Sequence, residues 1–180
     1  MTSNPFKRLL GDALESLPLP VRHLHNLEQA AFTAGRADIT AARNPAAWAL
    51  CKVAGLPKPG RDVPVTVSFH PDGQGREFWE RHFAGRRYAS TMEAREDGLL
   101  VEHFGPFDLF FRLTPTTDGL AWSLAKWRFL GLKLPSCSRP VIECMETGQG
   151  ESFVFDIDVA FPLVGPVVHY RGWLMPLERP

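Results

Sequence analysis

In the run EFWERHF (Glu77 to Phe83), Trp79, Arg81 and Phe83 fall at alternate positions, so a strand there sets an arginine between two large aromatics on one face. A guanidinium on an apolar face is expensive unless it meets an internal carboxylate, meets the anionic head of a ligand, or reaches water along its own stem. Glu102, Asp108 and Glu143 are internal acids it could reach, and stacking on a ring is a further structural use. VVHYRGW (Val167 to Trp173) repeats the mixture, with His169, Arg171 and Trp173 alternating with Tyr170 and Gly172.

The remaining chemistry-bearing residues form no motif. His25 or His169 could act as a general base beside Tyr170 or an acid, whereas each of His23, His25, His70, His82, His103 and His169 also has a plain packing or surface reading. His23 and His25, two apart, share one side only of an extended segment, and a third ligand would have to come from elsewhere, so no metal is expected. Asp156 with Asp158, and Glu143 with Glu146, resemble paired carboxylates, but a solvated outer face explains the first pair more simply. PDGQGRE (Pro71 to Glu77) reads as a hairpin loop, not a phosphate loop opening a helix. Cys51, Cys137 and Cys144 lack close pairing, which points to reduced, packed thiols. No catalytic residue is assigned and no cofactor is expected.

The elements that must position these residues change character along the chain. Phe6, Leu9, Leu10, Ala13, Leu14 and Leu17 recur at helical spacing behind Asn4 and Pro5, which predicts a capped amphipathic helix over Asn4 to Leu17. LPLP (Leu17 to Pro20) ends it. A second helix, buried on most sides, is expected over Pro45 to Ala54, capped by Asn44 and stopped by Gly55 and Pro57, while His23 to Thr40 fits either a short helix or strands.

After Gly60 the pattern breaks into strand-length blocks near Val63–Phe69, Glu77–Phe83, Arg86–Arg95, Leu99–Phe104, Phe107–Thr114, Leu120–Phe129, Pro140–Met145, Ser152–Ala160 and Val167–Met175. The short EDG, GP and TTDG connections predict hairpins and a mainly antiparallel sheet. The expected fold is α+β: a single domain over 1–180, with residues 1–60 a helical N-terminal segment that packs on or plugs a strongly curved half-barrel of about nine strands in 61–180. A β-sandwich is the alternative, and a doubly wound fold does not fit strands that fail to alternate with helices.

Composition narrows the partners. Twenty basic and twenty acidic residues give zero net charge, which argues against a nucleic-acid footprint. No stretch approaches the roughly 18 apolar residues of a membrane span, and no secretory leader is evident, so no stable membrane insertion and a cytoplasmic location are expected.

LPLPVRHLH, GLPKPG, FWERHFAGRRYAS, LLVEHFGPFDLFFRL, LGLKLP and PLVGPVVHYRGWLMP together resemble a bacterial family catalogued as a domain of unknown function, which occurs alone or fused behind reductase domains similar to saccharopine dehydrogenase. The resemblance spans nearly the whole chain, and its W-x-R-x-F and Y-x-G-W-L pieces are the most specific. It points to His25, Trp79, Arg81, Phe83, Gly105, Pro106, Tyr170, Gly172 and Trp173, and implies that any nicotinamide chemistry would fall to a separate reductase partner.

Three functions follow as expectations. The first is a ligand-binding domain that holds a small apolar or amphipathic, lipid-like molecule, with His25, Trp79, Arg81, Phe83, His169, Tyr170 and Trp173 as its site. The second is a cofactor-independent enzyme with a His general base. The third is a docking domain for a separate reductase, its aromatics forming an exposed patch.

Overall fold

The computed structural model describes residues 4–41, 44–53, 56–162 and 164–177. Asn4 accepts hydrogen bonds from the Phe6 and Lys7 amides and starts α1 (Pro5–Leu10). The single helix expected over Asn4 to Leu17 is interrupted: Gly11, at φ 53°, ends α1, and Gly11–Ser16 continue as a 3-10 turn. Prolines at 18 and 20 then open α2 (Leu19–His25) instead of extending the chain. His23 and His25 therefore face different ways, His23 to solvent and His25 inward.

The rest of the segment left open between helix and strand becomes β1 (Ala31–Ala41), so the sheet takes its first strand from within residues 1–60. α3 (Pro45–Val53) follows, capped by Asn44, which accepts from the Ala46 and Ala47 amides; Ala54 and Gly55, the expected end and stop, lie outside the described residues. The helix packs against β11 with Ala47 buried, but Trp48 is 63% exposed, against the expectation of burial on most sides.

All nine expected strands form: β2 (Gly60–Pro71), β3 (Arg76–Phe83), β4 (Arg86–Ala94), β5 (Leu100–Phe104), β6 (Phe107–Pro115), β7 (Gly119–Phe129), β9 (Val141–Gln149), β10 (Ser152–Phe161) and β11 (Gly165–Pro176). A two-residue β8 (Leu132–Lys133) turns back on β7. Every pairing is antiparallel, and neighbours in the sheet are nearly always neighbours in sequence. The half-barrel expectation is corrected: β1 pairs with both β2 and β11, and β6 pairs with β7, so ten strands close into a barrel with β8 as an appendage. Closure follows from the extra strand. Without β1 the sheet would keep two long open edges, and with it every long strand is paired on both sides.

Tight backbone approach fixes the β1–β11 seam. A Cβ on Gly35 would lie 1.7 Å from the Trp173 carbonyl oxygen, and one on Gly172 would meet the Arg36 carbonyl oxygen at 2.4 Å and the Phe155 ring at 2.6 Å. α1, the 3-10 turn and α2 close one end of the barrel, burying Phe6, Leu14, Leu17, Val21 and Leu24 against the strands. No helix among the described residues is long and apolar enough to cross a membrane.

Candidate functional site

Alternation along β3 carries Glu77, Trp79, Arg81 and Phe83 into the barrel, and Tyr88 and Ser90 on β4, Glu102 on β5, and Ile157 and Tyr170 on β10 and β11 meet them there. The lumen holds a cavity of about 180 Å³, lined chiefly by aromatic and aliphatic side chains.

Arg81 is the central polar group of that cavity. Its guanidinium donates to Ser90 Oγ at 2.8 Å and to Glu102 Oε1 at 3.2 Å, and lies over the rings of Trp79 and Tyr88 at 4.8 and 5.5 Å. Of the acids named from sequence, Glu102 is the partner; Asp108 instead pairs with His103, and Glu143 sits exposed on the outer face. Burial works against the Arg81 charge, but Glu102, helped by the two tyrosines, more than offsets it and holds the pKa above its ordinary value.

The neighbouring groups stay protonated. Burial pushes the Tyr88 phenol up to about 12 despite Arg81, and pushes Tyr170 and the Cys144 thiol well above their ordinary values. Cys144 therefore faces the lumen as an inert thiol. The Tyr88 hydroxyl lies near that of Tyr170 yet has no partner in full bonding geometry, and the Trp127 indole N–H, on β7, has none either.

A second polar cluster sits where the helices plug the barrel. His25 Nε2 is 2.6 Å from Glu146 Oε2, and the Trp122 indole donates to the same oxygen at 2.9 Å. The His25 ring packs 4.0 Å from that of Phe6, both fully buried. Beside them Asn4 donates to Glu77 Oε2 at 3.2 Å. Burial raises the Glu77 carboxyl to about 7, opposed by His25, by the nearby Trp79 indole and by Asn4. The Trp79 N–H has no partner in full hydrogen-bond geometry, close though it is to Glu77. This cluster ties α1 and α2 to β3, β7 and β9, and gives His25 an orienting acid in Glu146 but not Tyr170.

The barrel thus brings His25, Trp79, Arg81, Phe83 and Tyr170 together on the cavity wall. It does not bring His169 or Trp173 there. Both alternate outward on β11: His169 pairs with Asp156 at 2.7 Å, and Trp173 is 41% exposed. On that outer face potential ligand atoms of Asp156, Asp158 and His169 lie within 4.8 Å of one another, but Asp156 already serves His169 and, at 3.7 Å, Arg171. Sequence reasoning missed Glu77, Tyr88, Trp122, Trp127 and Glu146 as members of these clusters. Tyr88 was findable, since it sits directly across from Arg81 in the β3–β4 hairpin.

A family model described as "Domain of unknown function (DUF4166)" matches residues 17–174. No curated protein matches the chain. Seven chains of solved structures do. One, the crystal structure of Rv2717c from M. tuberculosis, aligns with a TM-score of 0.52 over 90% of this chain and 99% of that chain, at 13% identity, and shows the fold alone.

Proposed function

This chain belongs to the DUF4166 family of domains of unknown function, and from that premise we propose that it is a ligand-binding barrel holding a compact apolar or amphipathic molecule in its lumen. The observation that carries the reading is the cavity itself, about 180 Å³ of space walled by aromatics with one ion-paired arginine at its side. Well-packed barrels of this kind fill their interiors with side chains, and space left beside unpartnered polar atoms points to a guest. The volume sets its size. An apolar cavity of about 150 Å³ takes up benzene, and drug-sized molecules need roughly 300 Å³ or more. The lipid-like class therefore narrows to a single substituted ring or a short chain. Trp79, Phe83 and Tyr170 would form the apolar walls, with Arg81 and His25 marking polar points on them. The proposed mechanism is burial of apolar ligand surface, with reversible release.

The test is a titration of the whole protein with isopropylbenzene, followed through the indole N–H resonances of Trp79, Trp122 and Trp127. Saturable shifts that vanish in Ile157→Phe, which fills the lumen from β10, support the reading; equal shifts in both proteins place the ligand elsewhere and overturn it.

Two subordinate readings keep a foothold. His25, held by Glu146 and bordering the cavity, has the base-plus-acid pairing that a cofactor-independent reaction would use. Exposed Phe32, Trp173 and Met175 on the outer faces of β1 and β11 offer apolar surface to a separate reductase chain. A cytoplasmic setting fits the three free cysteines.

A further inference from the structure

The lumen's polar groups are unevenly supplied. Arg81 and His25 are its basic side chains, and each already faces an acid, Glu102 at 3.2 Å and Glu146 at 2.6 Å. The Arg81 charge is therefore spent on Glu102, and a ligand carboxylate would bring a second negative charge into a layer that holds one arginine. Removing that anion from water would be opposed by desolvation and by both internal carboxylates, with no unpaired cation to compensate.

Hydrogen-bond donors, in contrast, are left over. The Tyr88 and Trp127 side chains line the cavity, and the Tyr88 hydroxyl and Trp127 indole N–H are buried without a partner in full hydrogen-bond geometry, although the hydroxyl lies near that of Tyr170. An indole N–H can only donate, and a phenol held in its protonated form can donate as well. Buried donors without acceptors are rare, and each is costly until an acceptor arrives. What the cavity lacks is acceptor oxygen without charge.

We propose that the lumen selects an uncharged aromatic ligand bearing acceptor oxygens, of the aryl ketone or quinone class, and discriminates against an arylcarboxylate of the same size. This rests on the ligand-binding reading above and specifies its ligand. The ring would occupy the apolar walls around Phe83 and Ile157, and its oxygen would take the donors that Tyr88 and Trp127 leave open.

The experiment titrates the full chain with three single-ring probes: isopropylbenzene, acetophenone and benzoate. Binding is followed by NMR of the indole N–H groups, in wild type, Tyr88→Phe and Trp127→Phe. Each substitution keeps an aromatic ring in the wall and removes a polar atom that has no partner in full hydrogen-bond geometry, so both variants should fold. The expected result has three parts. Acetophenone binds at least about tenfold more tightly than benzoate. Tyr88→Phe or Trp127→Phe weakens acetophenone about fivefold more than it weakens isopropylbenzene. The Trp127 indole proton shifts downfield with the ketone and not with the hydrocarbon. Benzoate binding as tightly as acetophenone, or equal losses for ketone and hydrocarbon in the variants, overturns the selectivity and leaves the cavity reading standing. If none of the probes moves a lumen indole, the cavity reading falls and this inference falls with it.

Discussion

Arg81 and Glu102 lie 3.2 Å apart inside the barrel, each side chain 14% exposed, and their pairing decides between the two meanings an arginine amid aromatics could have. The cation belongs to the wall first, and a guest of the proposed kind would meet an ion pair instead of a bare charge.

That pairing makes Arg81→Ala destabilising. Removal of one partner strands Glu102 in a low-dielectric lumen, at a cost of about 3 kcal/mol. Arg81→Met with Glu102→Leu should recover most of the loss, because the two charges then leave together. Urea unfolding of the single and double variants measures this. A double variant as unstable as the sum of the singles would show that the pair is not coupled.

Glu77 gives the fold a pH dependence of definite sign. Its carboxyl, near 4.5 in the unfolded chain, is raised to about 7 when folded. Below the lower value both states hold the proton and the contribution is fully present. As pH rises toward 7 the unfolded chain ionises first, so stability falls, by up to about 3 kcal/mol, and then levels off. Glu77→Gln keeps an oxygen for Asn4 and should flatten this slope, leaving the variant more stable than wild type at pH 8. Parallel pH curves for the two proteins would contradict the account.

His25→Ala should loosen the plug. It removes a ring packed on Phe6 and leaves Glu146 with only the Trp122 indole, which predicts a loss of about 3 kcal/mol. Hydrogen exchange should speed up first in α1 and α2, with β2 to β6 little changed. Uniform deprotection of the barrel would argue that the helices are not a separable plug.

Gly35→Ala tests the seam that closes the barrel. A methyl 1.7 Å from the Trp173 carbonyl oxygen forces β1 away from β11, and the melting temperature should drop by more than about 10 °C. A small change would mean the seam can open without strain.

Much of this architecture was legible. The nine strands after Gly60 announced themselves through alternation between Gly- and Pro-bearing turns, as in LLVEHFGPFDLFFRL, where Gly105 adopts φ 55° in the β5–β6 turn. β1 was not legible because its inward positions are Thr33, Gly35, Ala37 and Ile39, mostly too small to show a hydrophobic period, and that missing strand is why an open half-barrel was expected. At Gly35 the smallness has a cause: a Cβ there would run into the Trp173 carbonyl oxygen of β11. Trp79, Arg81 and Phe83 could be placed together from period alone, since they share one strand. The His25–Glu146 pair could not, because its members are 121 residues apart and meet only once the ring closes and the helices plug it. The last strand misled for a simpler reason. Both of its faces mix polar and apolar residues, and only the register shows that Tyr170 and Leu174 look inward while His169 and Trp173 look out.

Native mass spectrometry of the freshly purified protein, followed by denaturing extraction, tests the central claim most directly. The account predicts a bound species of small mass that is uncharged, aromatic and oxygen-bearing, and that is lost from Ile157→Phe. An apo mass alone, from a protein that also fails to take up isopropylbenzene or acetophenone, would contradict it.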